Sequence, residues 1–183
     1  MEVGVNYKIL IDTETLKLRV SELGKMISEQ YAQKNPLLVG ILKGAYVFLA
    51  DLTRAIDIPH TVDFMAVSSY GSSTTTSGIV RILKDLDIPL FQRHVIVIED
   101  IVDSGLTLKY LKRLLLARSP ASLAVCALLD KSDNHPNETL ADFKGFDIPN
   151  KFVIGYGLDY DQHYRNLPFI AYFEQENGNI HSK

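Results

Sequence analysis

The sequence predicts an α/β protein built on a mostly parallel sheet flanked by helices. Three observations carry this: short apolar, β-branched runs alternate with stretches of helical periodicity, no repeat or linker interrupts the alternation, and 183 residues at 46% hydrophobic content suffice for one core. From Asp12 to Lys34 the apolar residues Leu16, Val20, Leu23, Ile27 and Tyr31 recur at three- or four-residue steps. Asp12 or Thr13 can cap this amphipathic helix and Pro36 stops it. Leu37 to Leu42 reads as a strand, Lys43-Gly44 as a turn, and Ala45 to about Ile56 as a second helix. Thr61 to Val67 is a strand, Ser68 to Gly78 a Ser/Thr/Gly-rich loop, and Ile79 to Leu86 a returning strand. Val95 to Ile98 is a four-residue apolar strand, followed by the turn EDIVDSGLT and a helix from Leu108 to Ala117. Leu123 to Leu129, Phe152 to Tyr156 and Ile170 to Phe173 complete the strands, while Pro149 and DNHPNE mark loops. In such a fold, ligands gather at the carboxyl ends of the parallel strands.

Composition narrows the function. A net charge of −3 argues against a nucleic-acid surface, which needs clustered Lys and Arg, so any phosphate must be held by local features. The amino end, MEVGVNYKIL, has an early Glu and no long apolar run, which fits neither a signal peptide nor a membrane span. A cytoplasmic protein without membrane or nucleic-acid partners is expected. The single cysteine, Cys126, lies in the apolar run LAVCALL and is expected to be a buried thiol, so no internal disulfide can form.

The chemistry concentrates in Val95 to Thr107, VIVIEDIVDSGLT. Backbone N–H groups at a helix amino end are unpaired and lie at the positive end of the helix dipole, so Ser104, Gly105, Leu106 and Thr107 can cradle a phosphate. Glu99, Asp100 and Asp103 would repel that phosphate unless they grip sugar hydroxyls, a magnesium ion or a proton to be removed. Taken singly, each acid could be a solvated strand end or a helix cap. The ordered string after a β-branched strand is better explained by a ribose phosphate carrying a metal-bound pyrophosphate.

With this string the chain resembles the phosphoribosyltransferase family, and within it the hypoxanthine-guanine phosphoribosyltransferases. The resemblance extends through LVGILKGAYVF at 38–48, SSYGSSTTTSG at 68–78, VIVIEDIVDSGLTL, LLDKSD at 128–133 and GFDIPNKFVIGYGLDYDQHYRNL at 145–167. It implies a type I phosphoribosyltransferase fold over one domain, 1–183. A flexible lid loop would span about 68–78, and a small base-recognition hood would come mainly from 143–183.

The resemblance also assigns residues. Glu99 and Asp100 would hold the ribose hydroxyls, directly or through Mg2+; Asp103 to Thr107 would bind the 5′-phosphate, with Asp103 as general base or acid. Lys43 and Gly44 would meet pyrophosphate after a cis Leu42–Lys43 peptide, with Arg165 as a further contact. Ser69 and Tyr70 would close the lid and exclude water. Lys131, Lys151, Phe152, Val153 and Asp159 would form the purine pocket, with Phe152 stacking and Asp159 helping to place a second magnesium. An ammonium at Lys131 can donate to a six-position carbonyl but cannot accept from a six-amino group, favouring hypoxanthine and guanine over adenine. The resemblance further implies a homodimer or homotetramer. Leu106 stands where some relatives carry Lys, which leaves the backbone cradle intact.

Two other readings remain. A xanthine-accepting pocket differs by one or two atoms. A non-catalytic nucleotide-sensing regulator on the same fold would lose the loop acid or gain a basic face, yet Asp103 is present and the charge is negative.

Overall fold

The computed structural model describes residues 6–69 and 80–174. Helix α1, Thr13–Gln30, starts where the Asp12 carboxylate accepts the Thr15 N–H at 2.8 Å, satisfying one of the orphan donors of its first turn. It buries Leu16, Val20, Leu23 and Ile27, the residues whose spacing predicts it. Around it the chain runs β1 (Tyr7–Ile11), α1, β2 (Leu37–Leu42), α2 (Tyr46–Ala55), β3 (Thr61–Ser69), β4 (Val80–Lys84), β5 (His94–Val102), α3 (Leu106–Leu116) and β6 (Ser122–Asp130). A short 3-10 turn, Ser132–Asn134, follows, then β7 (Phe143–Asp147), β8 (Val153–Ile154) and β9 (Ile170–Phe173).

The main sheet has the order β4-β3-β2-β5-β6-β7. Its internal pairs β2/β3, β2/β5, β5/β6 and β6/β7 are parallel, and only β4 is antiparallel to its neighbour. Parallel strands covered on both faces need apolar residues at every position, and the two layers divide them by the pleat. Leu38, Ile96 and Cys126 face one layer with α1 and α2, whereas Leu37, Val39, Val95, Val97 and Val125 face the other with α3. Cys126 is fully buried, and burial pushes its thiol far above the ordinary range, which leaves it unreactive.

Several boundaries differ from those expected. Strand β5 does not end at Ile98: Glu99, Ile101 and Val102 remain paired with Ala127, Leu129 and Asp130, so the turn starts at Asp103. The strand expected over 152–156 shortens to Val153–Ile154 because Gly155, Tyr156 and Gly157 all take positive φ, which extended pairing does not accommodate. Two strands carry no clear sequence signal. β1 is mostly exposed and pairs with β9, and β7 (FKGFD) interrupts its apolar residues with Lys and Gly.

A second, three-stranded sheet of order β1-β9-β8 stands apart from the main one. The segment 143–183 assigned to a hood is therefore divided, since β7 is the sixth strand of the main sheet while β8 and β9 join β1. Register decides this: Cys126 and Leu129 of β6 pair with Phe143 and Phe146, burying Phe143. Among the described residues no helix is long and apolar enough to cross a membrane.

Candidate active site

Because β2, β3, β5 and β6 are parallel, their carboxyl ends lie along one edge of the sheet. That edge carries Lys43-Gly44 after β2, Ser68 and Ser69 at the end of β3, Asp103 to Thr107 after β5, and Lys131 after β6. The rest of the expected lid, including Tyr70, lies outside the described residues.

Between β5 and α3 the chain makes a bend over Asp103, Ser104 and Gly105. Gly105 is the N-cap of α3 at φ +74°, a left-handed conformation that a Cβ disfavours. No side chain caps α3, and its first intrahelical bond runs from the Lys109 N–H to the Gly105 carbonyl at 2.9 Å. The N–H groups of Leu106, Thr107 and Leu108 therefore precede the hydrogen-bonded ladder, as an anion cradle requires. Ser104 and Leu106 are exposed beside them.

Asp103 is half-exposed, at 53%, and held from one side. Lys131 Nζ donates to its Oδ2 at 2.8 Å, and Asn134 donates to its Oδ1. Burial disfavours the charged carboxylate, but these two donors outweigh it and keep Asp103 below the usual carboxylate range. Lys131 is itself buried, at 7% exposure, with its N–H bonded to the Val102 carbonyl at 2.9 Å.

The two acids before the bend both shift the other way from Asp103. Glu99 is buried, and its Oε2 has no hydrogen-bond partner among the described residues. Burial, then the Asp100 charge, pushes its carboxyl well above the ordinary range. Asp100 is lifted to about 6, chiefly by burial, with Ile101 N–H, its own backbone and Arg165 opposing and Asp159 adding repulsion. Its carboxylate lies against Gly44, where a Cβ would sit 1.5 Å from Asp100 Oδ2, so only glycine permits this approach. Among the described residues no three His, Cys, Asp or Glu side chains converge into a self-sufficient metal centre. The unpartnered carboxylate oxygen of Glu99 and the crowded one of Asp100 are hard donors suited to a cation that keeps water and ligand oxygens.

Glu99→Gln is expected to raise the melting temperature of the ligand-free protein by about 2 °C or more, since it removes a buried unpaired acid. The sign follows from linkage: the folded group binds its proton more tightly than the unfolded one, so the penalty grows as pH rises above the ordinary Glu value. The gain should be present at about pH 7 and absent near about pH 3. Calorimetry at both pH values checks it, and a lower melting temperature at neutral pH would contradict the buried, unpaired carboxylate.

Lys43 follows a cis Leu42–Lys43 peptide bond. Its Nζ meets Gln162 Oε1 at 3.2 Å, and the Gln162 N–H donates to Asp159 Oδ2 at 2.8 Å. Arg165 pairs with Asp159 Oδ1 at 2.8 Å and donates to the Gly157 carbonyl at 2.8 Å. Lys43, Asp159, Gln162 and Arg165 thus form one polar network opposite Asp100. Phe152 is 57% exposed, with its ring edge-on to Tyr160 at 5.8 Å. Val153 is buried in β8, paired with Tyr172, and Lys151 Nζ lies 3.7 Å from the Tyr172 ring centroid. Asn134 and Gln162 were not singled out from sequence. Their only signal was position: each sits in a polar loop three residues from a selected residue.

Comparison with known proteins gives the family. A family model described as a phosphoribosyl transferase domain matches residues 6–161. The hypoxanthine-guanine phosphoribosyltransferase of Mycobacterium tuberculosis is 52% identical over 170 residues, covering 89% of this chain and 84% of that one. The enzyme of the same name from Bacillus subtilis is 49% identical over 164 residues, covering 90% and 91%. A crystal structure of a hypoxanthine-guanine phosphoribosyltransferase from Bacillus anthracis, with a HEPES molecule in the active site, aligns with a TM-score of 0.87 at 43% identity. That alignment covers 91% of this chain and 98% of the other. A glycine-capped turn carrying Asp103 at the edge of a parallel sheet, matched over most of its length by proteins of one kind, makes this chain a member of the phosphoribosyltransferase family.

Proposed function

We propose that this protein transfers the 5-phosphoribosyl group of phosphoribosyl pyrophosphate to hypoxanthine or guanine, giving IMP or GMP and pyrophosphate in purine salvage. The observation that carries this reading is the Lys131–Asp103 bond of 2.8 Å beside the open amino end of α3. In this reading a donor for a six-position carbonyl, from the end of β6, and a carboxylate for a ring proton, from the end of β5, stand beside a phosphate cradle.

The roles follow from chemistry. The N–H groups at the start of α3, with Ser104 and Thr107, hold the 5′-phosphate. Glu99 and Asp100 face the ribose hydroxyls. Lys43, Gly44 and Arg165 bind the pyrophosphate, whose departure leaves positive charge on the ribose. Lys131 has three N–H donors; one serves Asp103, and the others remain for the purine carbonyl. Asp103, ionised at neutral pH, accepts the ring proton that the purine loses as its nitrogen attacks the anomeric carbon. Exposed Phe152 offers a stacking face, with Lys151 and the Val153 backbone at the base's rim. Ser69 and Tyr70 would belong to the lid that the resemblance assigns to about 68–78, which would shield the reacting centre from water. Glu99, Asp100 and Asp159 would hold Mg2+, which when bound supplies positive charge beside the diphosphate oxygens. The reading includes one catalytic domain over 1–183, a cytoplasmic location, and a homodimer or homotetramer, consistent with exposed Leu18, Met26 and Tyr46.

The test mixes the protein with phosphoribosyl pyrophosphate, magnesium and each purine separately, following nucleotide formation by absorbance. Hypoxanthine and guanine should turn over, adenine should not, and a chelator should abolish the rate. Turnover of adenine alone would overturn the Lys131 role, and a chelator-insensitive rate would dispose of the metal. Turnover of xanthine at a matching rate would favour the shifted pocket.

A further inference from the structure

The two side chains that grip Asp103 both come from one short segment, Lys131 to Asn134, and what holds that segment has no part in the roles above. The Asn134 N–H donates to the Lys131 carbonyl at 2.8 Å, and the His135 N–H to the Ser132 carbonyl at 3.1 Å. His135 follows directly and is buried, at 7% exposure. Its Nε2 lies 2.7 Å from Asp130 Oδ1 and its Nδ1 lies 3.1 Å from the Glu138 carbonyl. Both partners are acceptors. A neutral imidazole has one N–H and can satisfy one of them, whereas the imidazolium satisfies both.

Charged side chains surround the ring. Asp130, 3% exposed at the end of β6, faces Nε2, with Lys144 Nζ of β7 at 3.7 Å from its other oxygen. Lys144 is in turn bonded to Asp147 Oδ1 at 2.7 Å, which Ser132 also contacts. A cavity of about 420 Å³, lined by His135, Asn137, Glu138 and Thr139 among others, adjoins the segment and leaves it room to shift.

We propose that His135 is a positioning residue: its doubly protonated ring, bridging Asp130 and the Glu138 carbonyl, holds the turn whose Lys131 and Asn134 grip Asp103. This deepens the proposed function and rests on its reading of Lys131 and Asp103. Without the second N–H, one buried acceptor loses its donor, the turn relaxes, and purine binding weakens. Phosphoribosyl pyrophosphate binding should not follow, because Lys43 and Arg165 are tied to Gln162, Asp159 and Gly157 instead.

Two measurements on the full chain test this. Long-range 1H–15N spectra of the wild-type imidazoles at about pH 7 should show both His135 nitrogens protonated; a neutral tautomer overturns the proposal. In His135→Gln, whose side chain can donate to only one of the two acceptors at a time, the KM for hypoxanthine should rise about tenfold at about pH 7, with the KM for phosphoribosyl pyrophosphate changing less than about twofold. A variant that keeps the wild-type KM for hypoxanthine, or that raises both KM values together, overturns the positioning role. If the variant does not fold, the wild-type ring spectrum decides. A wild-type protein with no transferase activity would remove the proposed function, while the ring spectrum would still report on the clamp itself.

Discussion

Replacing Asp103 with Asn is expected to lower kcat by roughly 10²- to 10³-fold, the usual contribution of a positioned acid or base. Asn is nearly isosteric but cannot take a proton. Lys131 and Asn134 also present donors to both carboxylate oxygens, so an amide would set its own N–H2 against one of them. The KM for phosphoribosyl pyrophosphate should change by less than about threefold, because the phosphate cradle is backbone at the start of α3. Single-turnover rates are the appropriate measurement, since slow product release can hide a loss in the chemical step. An Asp103→Asn protein with an undiminished single-turnover rate would reduce Asp103 to a structural residue of the bend.

Lys131→Met should have the second large effect, and a more specific one. Met keeps the length and apolar stem of a side chain that is almost fully buried, so folding is preserved better than with a smaller residue. What disappears is the donor to the purine carbonyl and the charge beside Asp103. The KM for hypoxanthine should rise about 100-fold or more, since a buried carbonyl would be left without its partner. A pH signature accompanies it. Asp103 lies below the ordinary range because the Lys131 and Asn134 bonds outweigh burial, and without Lys131 its pKa rises. The acid limb of kcat/KM should therefore move to higher pH in the variant. If the limb stays in place while the KM rises, Lys131 recognises the base without tuning Asp103.

The arrangement also explains why the site combines a low and a high carboxyl. In the proposed reaction Asp103 would accept a proton as a charged carboxylate, and two donors hold it in that form. Glu99 is left buried beside Asp100 with one oxygen unpartnered among the described residues, a cost that a proton, a ligand hydroxyl or a cation can offset. In the proposed function, part of the binding energy of substrate and metal would be spent on an acidic pair that destabilises the ligand-free fold.

Local order was legible wherever a segment's own residues decide its conformation. The Asp12 cap and the three- and four-residue spacing of α1 predict that helix to within a turn, and Leu37–Leu42 is apolar throughout because both its faces are covered. The VIVIEDIVDSGLT string likewise pointed to a bend entering a helix, and Gly105 caps α3 there at φ +74°; its holding a phosphate belongs to the proposed function. Pairing across the sheet was not legible. β7 exists because Phe143 and Phe146 find β6, and β1 because β9 needs a partner, neither of which is encoded in FKGFD or YKILI alone. The grip of Lys131 and Asn134 on Asp103, some thirty residues away along the chain, and of Arg165 on Asp159 across the polar loop, depends on where parallel strands end in space. Sequence by itself determined the alternating architecture, the family resemblance and the residue types available for chemistry. Only the tertiary structure decided which carboxylate is paired and which is stranded, because burial and hydrogen-bond partners belong to the packed chain and not to any segment of it.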